Sequence, residues 1–377
     1  MTRVCVWMNI PSHYQSSFYE ALVESGEIDL NVCYFNGASA DRAAEGWNSD
    51  FALRPYEVSC AGASTPDEML QAVPDWRERT HVVSSYFSAE LVERFCAEDV
   101  AWCHWSETPG VRLADLLGYH MGLYRLLNPI MLKMKRAEGA RIRNHALGAF
   151  AQGRLARNSF QRMGVPENMI EDLFYAPAAL PPARGCDEVK RFANGRKVFV
   201  CVGALCERKG VDVMLKAFAA LNTPDWCVVF CGLDRQDGAN QKLTAELGLN
   251  DQTLFLGAWP SDRIAEVYAA SDVLALPSRF DGWGAVLNEA ASLGLPLIGT
   301  DLCGASWHGI QPDQNGYRAK ADSVASLSAA MKNYVDHPDR LNAHGAVSKR
   351  IFAEELTPAV NADRFVAALK KWGVDER

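Results

Sequence analysis

One stretch of the sequence, LPSRFDGWGAVLNEAASLGLP over residues 276–296, contains the signals of a strand end, a turn and a helix. The apolar run 273–276 predicts a buried strand, and Gly294 predicts the end of the helix that follows. Between them, Gly282 and Gly284 allow the backbone to approach a ligand closely. Because the N-terminus of a helix favours negative charge, the stretch predicts an anion-binding turn.

Two carboxylates flank this turn, Asp281 before it and Glu289 eight positions later. If the helix begins near Gly284, Glu289 lies one to two turns inside it, roughly 7 Å along the helix axis. An anion seat between two carboxylates suits a sugar diphosphate, because phosphate oxygens need hydrogen-bond donors and sugar hydroxyls need acceptors. The alternative is an ordinary strand–loop–helix unit with acidic residues on its surface.

This arrangement resembles the E-x7-E motif of the retaining glycosyltransferases of family 4 (glycosyl transferases group 1), with Asp281 in place of the first Glu. The resemblance implies the α/β GT-B fold, in which two Rossmann-like domains face each other across a cleft. It implies that Glu289 accepts hydrogen bonds from the ribose of a nucleotide sugar. It also places Asp281 and the turn of Gly282, Trp283 and Gly284 beside the sugar and the phosphate.

A second segment, VFVCVGALCERKGVDVMLKAF over residues 198–218, is similar to the family's diphosphate-clamping region. Lys209 matches the family's lysine, whereas Ala204 stands where the family has an arginine. We expect Arg208 to supply the second cation. Two cations suit a leaving nucleoside diphosphate, because its negative charge grows as the glycosidic bond breaks. The alternative is a solvated basic pair at a helix start.

Three more residues are expected at the cleft because of the resemblance. Gly203 and Gly232 each follow a predicted strand, as glycine-rich turns of the family do. His104 ends a strand of the first half, where family members present a histidine toward the donor sugar. We therefore predict Asp281, Lys209 and His104 as catalytic; for His104 the alternative is a histidine hydrogen-bonded within the core. The resemblance implies no metal and no cofactor beyond the donor itself.

The first half of the chain is expected to bind the acceptor. Its alternating strand and helix signals predict parallel pairing with helical crossovers. Strands are predicted at residues 4–8, 30–35, 81–85, 100–105 and 169–175. His13, Tyr14 and Gln15 follow the first strand and are candidates for acceptor contacts, and Glu107 is a candidate acid or base.

The chain of 377 residues, 49% of them hydrophobic, has room for two cores. We predict an acceptor-binding domain over 1–180, a Pro-rich linker over 181–196 and a nucleotide-sugar-binding domain over 197–356. A C-terminal helix over 357–377 is expected to cross back to the first domain. Eleven cysteines are an odd number, and many lie in apolar runs, which indicates core residues in a reducing compartment rather than disulfides.

The charge distribution is uneven along the chain. A net charge of -8 argues against nucleic acid as a partner, because phosphate backbones need a broad basic face. Residues 125–145 reverse that sign, with Arg125, Lys133, Lys135 and Arg136 among them. We interpret this segment as a hypothetical peripheral contact with the inner face of the cytoplasmic membrane. An ordinary solvated helix face is the alternative. No export signal or membrane-spanning run is recognisable, so a cytoplasmic location is expected.

These patterns predict a retaining glycosyltransferase. It would move a sugar from a nucleotide-diphosphate sugar to a hydroxyl of a saccharide or lipid-linked saccharide, in the synthesis of bacterial cell-surface polysaccharide. Two alternatives remain. One is a nucleotide-sugar epimerase or phosphorylase of the same fold, and the other is a non-catalytic, two-lobed protein that binds a sugar ligand.

Overall fold

The computed structural model of the protein describes residues 1–37, 52–84 and 88–374. In this part of the chain two parallel β-sheets form two lobes, and helices cover both sheets. The predicted pair of Rossmann-like α/β lobes is confirmed. Of the predicted strand 81–85, Ser85 lies outside the described residues.

The described residues of the first lobe contain a sheet of seven strands in the order β3-β2-β1-β4-β5-β6-β7. The strands are β1 Thr2–Met8, β2 Ile28–Tyr34, β3 Glu57–Ser59, β4 Thr80–Val83, β5 Trp102–Ser106, β6 Gly148–Ala151 and β7 Ile170–Asp172. Every pairing between them is parallel.

The described residues of the second lobe contain a sheet of six strands in the order β10-β9-β8-β11-β12-β13. The strands are β8 Lys197–Val202, β9 Trp226–Cys231, β10 Thr253–Gly257, β11 Val273–Ala275, β12 Leu297–Thr300 and β13 Gly316–Ala319. These pairings are also parallel.

The described helices connect consecutive strands and cover the sheets. They are α1 His13–Glu24, α2 Pro66–Leu70, α3 Ala89–Ala97, α4 Val111–Leu116, α5 Met121–Met134, α6 Arg136–His145, α7 Gly153–Met163, α8 Asp187–Ala193, α9 Val211–Ala219, α10 Ala239–Glu246, α11 Ile264–Ala269, α12 Val286–Leu293, α13 Ser306–Gly309, α14 Val324–Asp336, α15 Arg340–Ile351 and α16 Pro358–Lys371.

The central strand β8 shows why the sequence folds this way. Its residues 198–202 are apolar and buried, as expected for a strand covered on both faces. Val198 and Val200 join one core of the second lobe, whereas Phe199 and Cys201 join the other. This alternation follows the period of two in a strand, so both faces of the sheet are packed against helices.

Some short elements differ from the sequence predictions. The second half of the predicted linker 181–196 forms helix α8, and Val189 of this helix is buried in a core of the second lobe. Strands β3, β6 and β13 were not predicted. Each has only three or four residues, too few to show a period.

The last helix, α16, returns to the first lobe. Phe365 stacks on Phe150 with ring centroids 4.9 Å apart and meets Phe18 edge-on at 5.9 Å. The Asn361 side chain accepts a hydrogen bond from the Phe174 backbone N–H at 3.0 Å. Helix α16 therefore packs on the sheet that contains β1 and β6.

A cavity of about 1430 Å³ lies between the lobes, and residues at the carboxyl ends of strands in both sheets line it. Ligands of open parallel sheets bind at this position. Within the described residues, no helix has the length and apolar character needed to cross a bilayer.

Candidate functional site

Lys209 and Asp281 form a close ion pair on the second-lobe side of the cavity. Lys209 ends the short helical turn 207–209 after β8, and Gly210 next to it has a left-handed conformation with φ of 66°. The Lys209 Nζ donates to Oδ2 of Asp281 at 2.6 Å, and each side chain is 12% exposed. The predicted cation and the predicted first acid therefore meet, although they are 72 positions apart.

Arg208 contacts the same carboxylate. Its guanidinium lies 3.3 Å from Oδ2 of Asp281 and donates to the Phe280 carbonyl oxygen at 3.1 Å. Burial raises the pKa of Asp281, but Lys209 and Arg208 outweigh burial and hold the pKa below its usual value. Asp281 is therefore ionised at neutral pH, between two cations that face the cavity.

The turn before α12 has the conformation expected of an anion seat. Gly284 has φ of 91°, and a Cβ there would lie 2.9 Å from a methyl group of Leu276, so only glycine fits. Among the described residues, no acceptor is found for the backbone N–H groups of Gly284, Ala285 and Val286. These groups begin the eight-residue helix α12, where an anion is favoured.

Glu289 lies in the first turn of α12 and is only 6% exposed. Its Oε2 accepts from the Tyr268 hydroxyl at 2.7 Å, and Tyr14 of the first lobe forms a second side-chain hydrogen bond with it. Burial raises the pKa of Glu289 to about 7, although both tyrosines and Lys209 act in the opposite direction. This carboxyl group therefore titrates near neutral pH.

Three other predicted residues make packing contacts in the structure. Gly203 follows β8 with φ of 125°, and a Cβ there would lie 3.4 Å from Cε of Lys209. At Gly232 a Cβ would overlap the Gly203 carbonyl, so this glycine allows two loops to touch. Trp283 is buried and stacks on Phe174 at 4.9 Å. All three line the cavity, but Gly232 and Trp283 have packing contacts that by themselves explain their residue types.

His104 is placed differently from the prediction. It is 0% exposed, meets Phe160 edge-on and lies 2.9 Å through Nε2 from the Ser106 hydroxyl. Burial lowers its pKa to about 3, with a smaller effect of Lys135 in the same direction. His104 does not line the cavity, because its side chain points into the core between β5 and α7. We therefore assign it no contact with the sugar.

Two tyrosines of the site show how limited the sequence signals are. Tyr14 was a candidate only for acceptor contacts, yet its hydroxyl reaches Glu289 of the other lobe. Tyr268 was not singled out, because it falls within the apolar stripe of α11 and carries no motif. No local pattern connects Tyr268 with an acid 21 positions away.

The first-lobe side of the cavity carries both polar and apolar side chains. Its lining includes side chains that follow β1, β4, β5 and β6, among them Ser12, Gln15, Ser84, Glu107, Thr108 and Gln152. On the second-lobe side, Ala204 lines the cavity beside Arg208 and Lys209. Within the described residues, no group of three or more His, Cys, Asp or Glu side chains is arranged to hold a metal ion.

Comparison with protein families agrees with this geometry. Residues 187–350 match the family described as Glycosyl transferases group 1. The resemblance to that family is therefore confirmed over the second lobe, and the narrower assignment to family 4 stays a prediction.

Several relatives are similar over part of the chain. A D-inositol 3-phosphate glycosyltransferase of Nocardia farcinica is 29% identical over 41% of this chain and 36% of its own length. A lipopolysaccharide core biosynthesis mannosyltransferase, LpsB, of Rhizobium meliloti is 29% identical over 48% of this chain and 53% of its own length. The matched region thus spans only about a third to a half of these two relatives.

Solved structures are similar over the whole chain. A sucrose-phosphate synthase from Thermosynechococcus elongatus has a TM-score of 0.72 at 14% identity, with 100% of both chains covered. The Anabaena protein Alr3699/HepE in complex with UDP has a TM-score of 0.72 at 12% identity, covering 98% of this chain and 100% of its own. At such low identity these likenesses concern the fold alone, and the predicted GT-B architecture is confirmed.

Proposed function

We propose that this chain, whose residues 187–350 match the family Glycosyl transferases group 1, transfers a sugar from a nucleotide-diphosphate donor to a hydroxyl group. The observation that supports this most is the set of groups on one wall of the cavity. Two cations, Lys209 and Arg208, line the cavity with the backbone N–H groups of the Gly284 turn, which have no acceptor within the described part of the chain, and Asp281 and Glu289 flank them. A sugar diphosphate needs this combination of donors and acceptors.

We assign roles to these residues by their chemistry. Lys209 and Arg208 bind the diphosphate and neutralise the charge that grows on it as the glycosidic bond breaks. Arg208 thereby supplies the positive charge that the family's arginine would supply at the position of Ala204. Asp281 faces the sugar hydroxyls, and Glu289 accepts hydrogen bonds from the ribose. The two cations supply charge that a divalent ion supplies in other enzymes, so we propose metal-independent transfer, with retention of the anomeric configuration.

The first lobe is proposed to hold the acceptor. Its polar lining offers hydroxyl, amide and carboxylate groups to a saccharide, with Gln15, Ser84 and Glu107 among them. A role in cell-surface polysaccharide synthesis is supported by relatives such as the Rhizobium meliloti lipopolysaccharide mannosyltransferase. We propose a saccharide or lipid-linked saccharide as acceptor for this reason.

We also propose peripheral contact with a membrane through residues 125–145, with the apolar side chains of this segment rather than its cations as the main contact. Several cations of residues 125–145 are engaged: Arg125 with Asp301, Lys135 with Glu138 and Arg141 with Glu93. In contrast, α4 and α5 expose large apolar side chains, with exposed fractions of 83% for Leu116, 44% for Leu123, 66% for Leu126, 54% for Ile130 and 80% for Met134. The last four form one helical stripe on α5.

The apolar stripe of α5 suits the interface of an anionic bilayer. Exposed Lys133 and Arg136 lie at its end, and each cation near such a surface adds about 1 kcal/mol. Replacing Leu126, Ile130 and Met134 by Ser should abolish co-sedimentation with vesicles that contain anionic lipid. The control is Val23→Ser, which removes an exposed apolar side chain of α1. Unchanged binding of the triple variant would overturn the membrane contact.

A donor panel tests the function. Purified protein is incubated with uridine, guanosine and thymidine diphosphate sugars, with and without saccharide acceptors, and both binding and products are measured. One donor should bind and lose its sugar to an acceptor, with slow hydrolysis when no acceptor is present. Conversion of the donor without an acceptor would indicate the epimerase, and sugar release to phosphate the phosphorylase. A donor that binds but stays intact would indicate the sugar-binding protein.

A further inference from the structure

Glu107 of the first lobe reaches across the cavity to the turn of the second lobe. It lies in the loop after β5, and its carboxyl group lies against the Cα of Gly282. A Cβ at position 282 would overlap Oε2 of Glu107 and lie 3.2 Å from Oε1. A first-lobe carboxylate therefore lies against the turn that is proposed to hold the donor's diphosphate.

Other charges surround this carboxylate. Arg208, Lys209 and Asp281 line the same cavity, and Glu107 acts electrostatically on Arg208. Burial lowers the pKa of Arg208, but Asp281 and, less strongly, Glu107 raise it above its usual value. Glu107 is thus, after Asp281, a second carboxylate beside the pair of Arg208 and Lys209. An incoming diphosphate has to share those cations with Glu107.

We infer that Glu107 is a specificity-determining residue that weakens the binding of the free nucleoside diphosphate more than that of the nucleotide sugar. The inference rests on the proposed function. The terminal phosphate of the free diphosphate carries a second negative charge above pH of about 6, whereas the same phosphate in the sugar ester carries one. Repulsion by a nearby carboxylate grows with the charge that it meets.

This preference would assist turnover. The free nucleoside diphosphate is the product that remains after transfer, and it keeps every contact of the donor except those to the sugar. Without an opposing charge it would bind beside Lys209 and Arg208 and inhibit the next cycle. Glu107 lies on the other lobe, so its repulsion is strongest when the cleft is closed around the product.

The test compares two ligands in two variants. Dissociation constants for the diphosphate and the sugar form of the nucleotide that binds the wild type are measured by titration calorimetry at pH 8. Glu107→Gln should tighten binding of the free diphosphate about tenfold, and that of the nucleotide sugar less than threefold, for removal of one charge near the surface. The tenfold change corresponds to about 1.4 kcal/mol.

Controls separate this effect from a general change in charge. Glu90→Gln removes an exposed carboxylate from α3 of the same lobe and should leave both constants unchanged. Glu107→Asp keeps the charge and should stay close to the wild type. The gain in Glu107→Gln should shrink at high salt. Equal changes for both ligands, or weaker binding of the free diphosphate, would overturn the inference. A wild type that binds neither ligand would instead refute the proposed function.

Discussion

The two lobes have similar folds but differ in where they place charged residues. Each has a parallel sheet with its carboxyl ends at the cavity. The second lobe gathers Arg208, Lys209 and Asp281 into one partly buried cluster. The first lobe lines the cavity with polar and apolar side chains together, and it exposes apolar side chains on α4 and α5. The charged cluster of the second lobe suits a charged donor. The lining of the first lobe suits a neutral or amphiphilic acceptor.

The family match covers the same division. Residues 187–350 include the whole sheet of the second lobe but none of the first-lobe sheet. Donors share a diphosphate, whose requirements are fixed by charge. Acceptors differ in shape, size and attachment, so the surface that meets them varies more. We therefore expect substitutions in the second lobe to change donor binding, and substitutions in the first lobe to change acceptor binding.

The largest effect is expected from the charged cluster. Lys209→Ala should reduce the transfer rate about 10²- to 10³-fold, as the loss of one group that stabilises transition-state charge does. The measurement is the initial rate with the donor found in the panel. Lys216→Ala serves as the control, because the exposed side chain of Lys216 pairs with Asp212 on α9 instead of facing the cavity.

The same substitution leaves Asp281 in the cluster with only Arg208 as a charged partner. Stability should fall, since breaking a buried pair costs about 3–5 kcal/mol and this pair is slightly exposed. A double variant, Lys209→Met with Asp281→Asn, should recover much of the loss in urea unfolding but none of the activity. Near-normal transfer by Lys209→Ala or by the double variant would contradict the role of the cluster.

The first lobe offers the opposite test at His104. Because this residue is fully buried and hydrogen-bonded, His104→Asn should lower the free energy of unfolding by about 1–3 kcal/mol. Donor affinity, measured below the unfolding transition, should stay within twofold of the wild type. A folded His104→Asn protein with strongly weakened donor binding would show that His104 contributes to the donor site.

A smaller effect is expected at Glu289. Glu289→Gln keeps the shape but loses the charged acceptor, so the affinity for the nucleotide sugar should fall about tenfold. Asn288 on the same helix donates to the Tyr175 carbonyl and is unsuited as a control. Glu246→Gln at the exposed end of α10 is a better one.

The pH dependence sharpens the assignment of Glu289. Its folded pKa of about 7 lies above the ordinary value of 4.5, so the folded chain binds more protons between those values. Its contribution to stability is therefore complete below pH 4.5 and is lost as the pH rises through about 7. Donor affinity should change in the opposite direction, increasing with pH through about 7 as the carboxylate forms. Glu289→Gln should remove both dependences; a pH profile that survives in this variant would contradict the assignment.

The smallest effect concerns the contact between the lobes. Arg125 of α5 donates to Asp301 of the second lobe at 2.8 and 3.0 Å, and the side chains are 33% and 28% exposed. Such a pair contributes about 0–1 kcal/mol, so Arg125→Ala should barely change the unfolding midpoint. If the pair helps to hold the lobes closed, donor affinity falls by a similar small amount. A large loss of stability would show that the lobes depend on each other more than this contact suggests.

The candidate donor-site residues of the second lobe could be picked out from the sequence because their signals are local. Asp281, Gly284 and Glu289 belong to one turn and one helix. Lys209 lies just before the start of α9, in a segment similar to the family's diphosphate-clamping region. The strands of both sheets were predictable where a clear apolar run marks them, as over residues 273–276. Short strands such as β13, and helix α8 within a Pro-rich segment, gave no comparable pattern.

Contacts between distant segments could not be predicted. Tyr14 and Tyr268 meet Glu289 only after both lobes have folded, and the placement of Glu107 on Gly282 depends on how the lobes face each other. The position expected for His104, facing the cavity, differs from the observed one for a related reason. Side chains alternate along β5, and a one-residue shift in register decides whether a histidine faces the cavity or the core.

A crystal structure of the protein with the nucleotide sugar that it binds is the most direct test of the proposed donor site. We expect the diphosphate within hydrogen-bond distance of Lys209, Arg208 and the N–H groups that begin α12. We also expect the ribose hydroxyls on Glu289. A nucleotide sugar bound with its diphosphate outside this cluster, while Lys209 and Asp281 keep their pairing undisturbed, would contradict the proposed site.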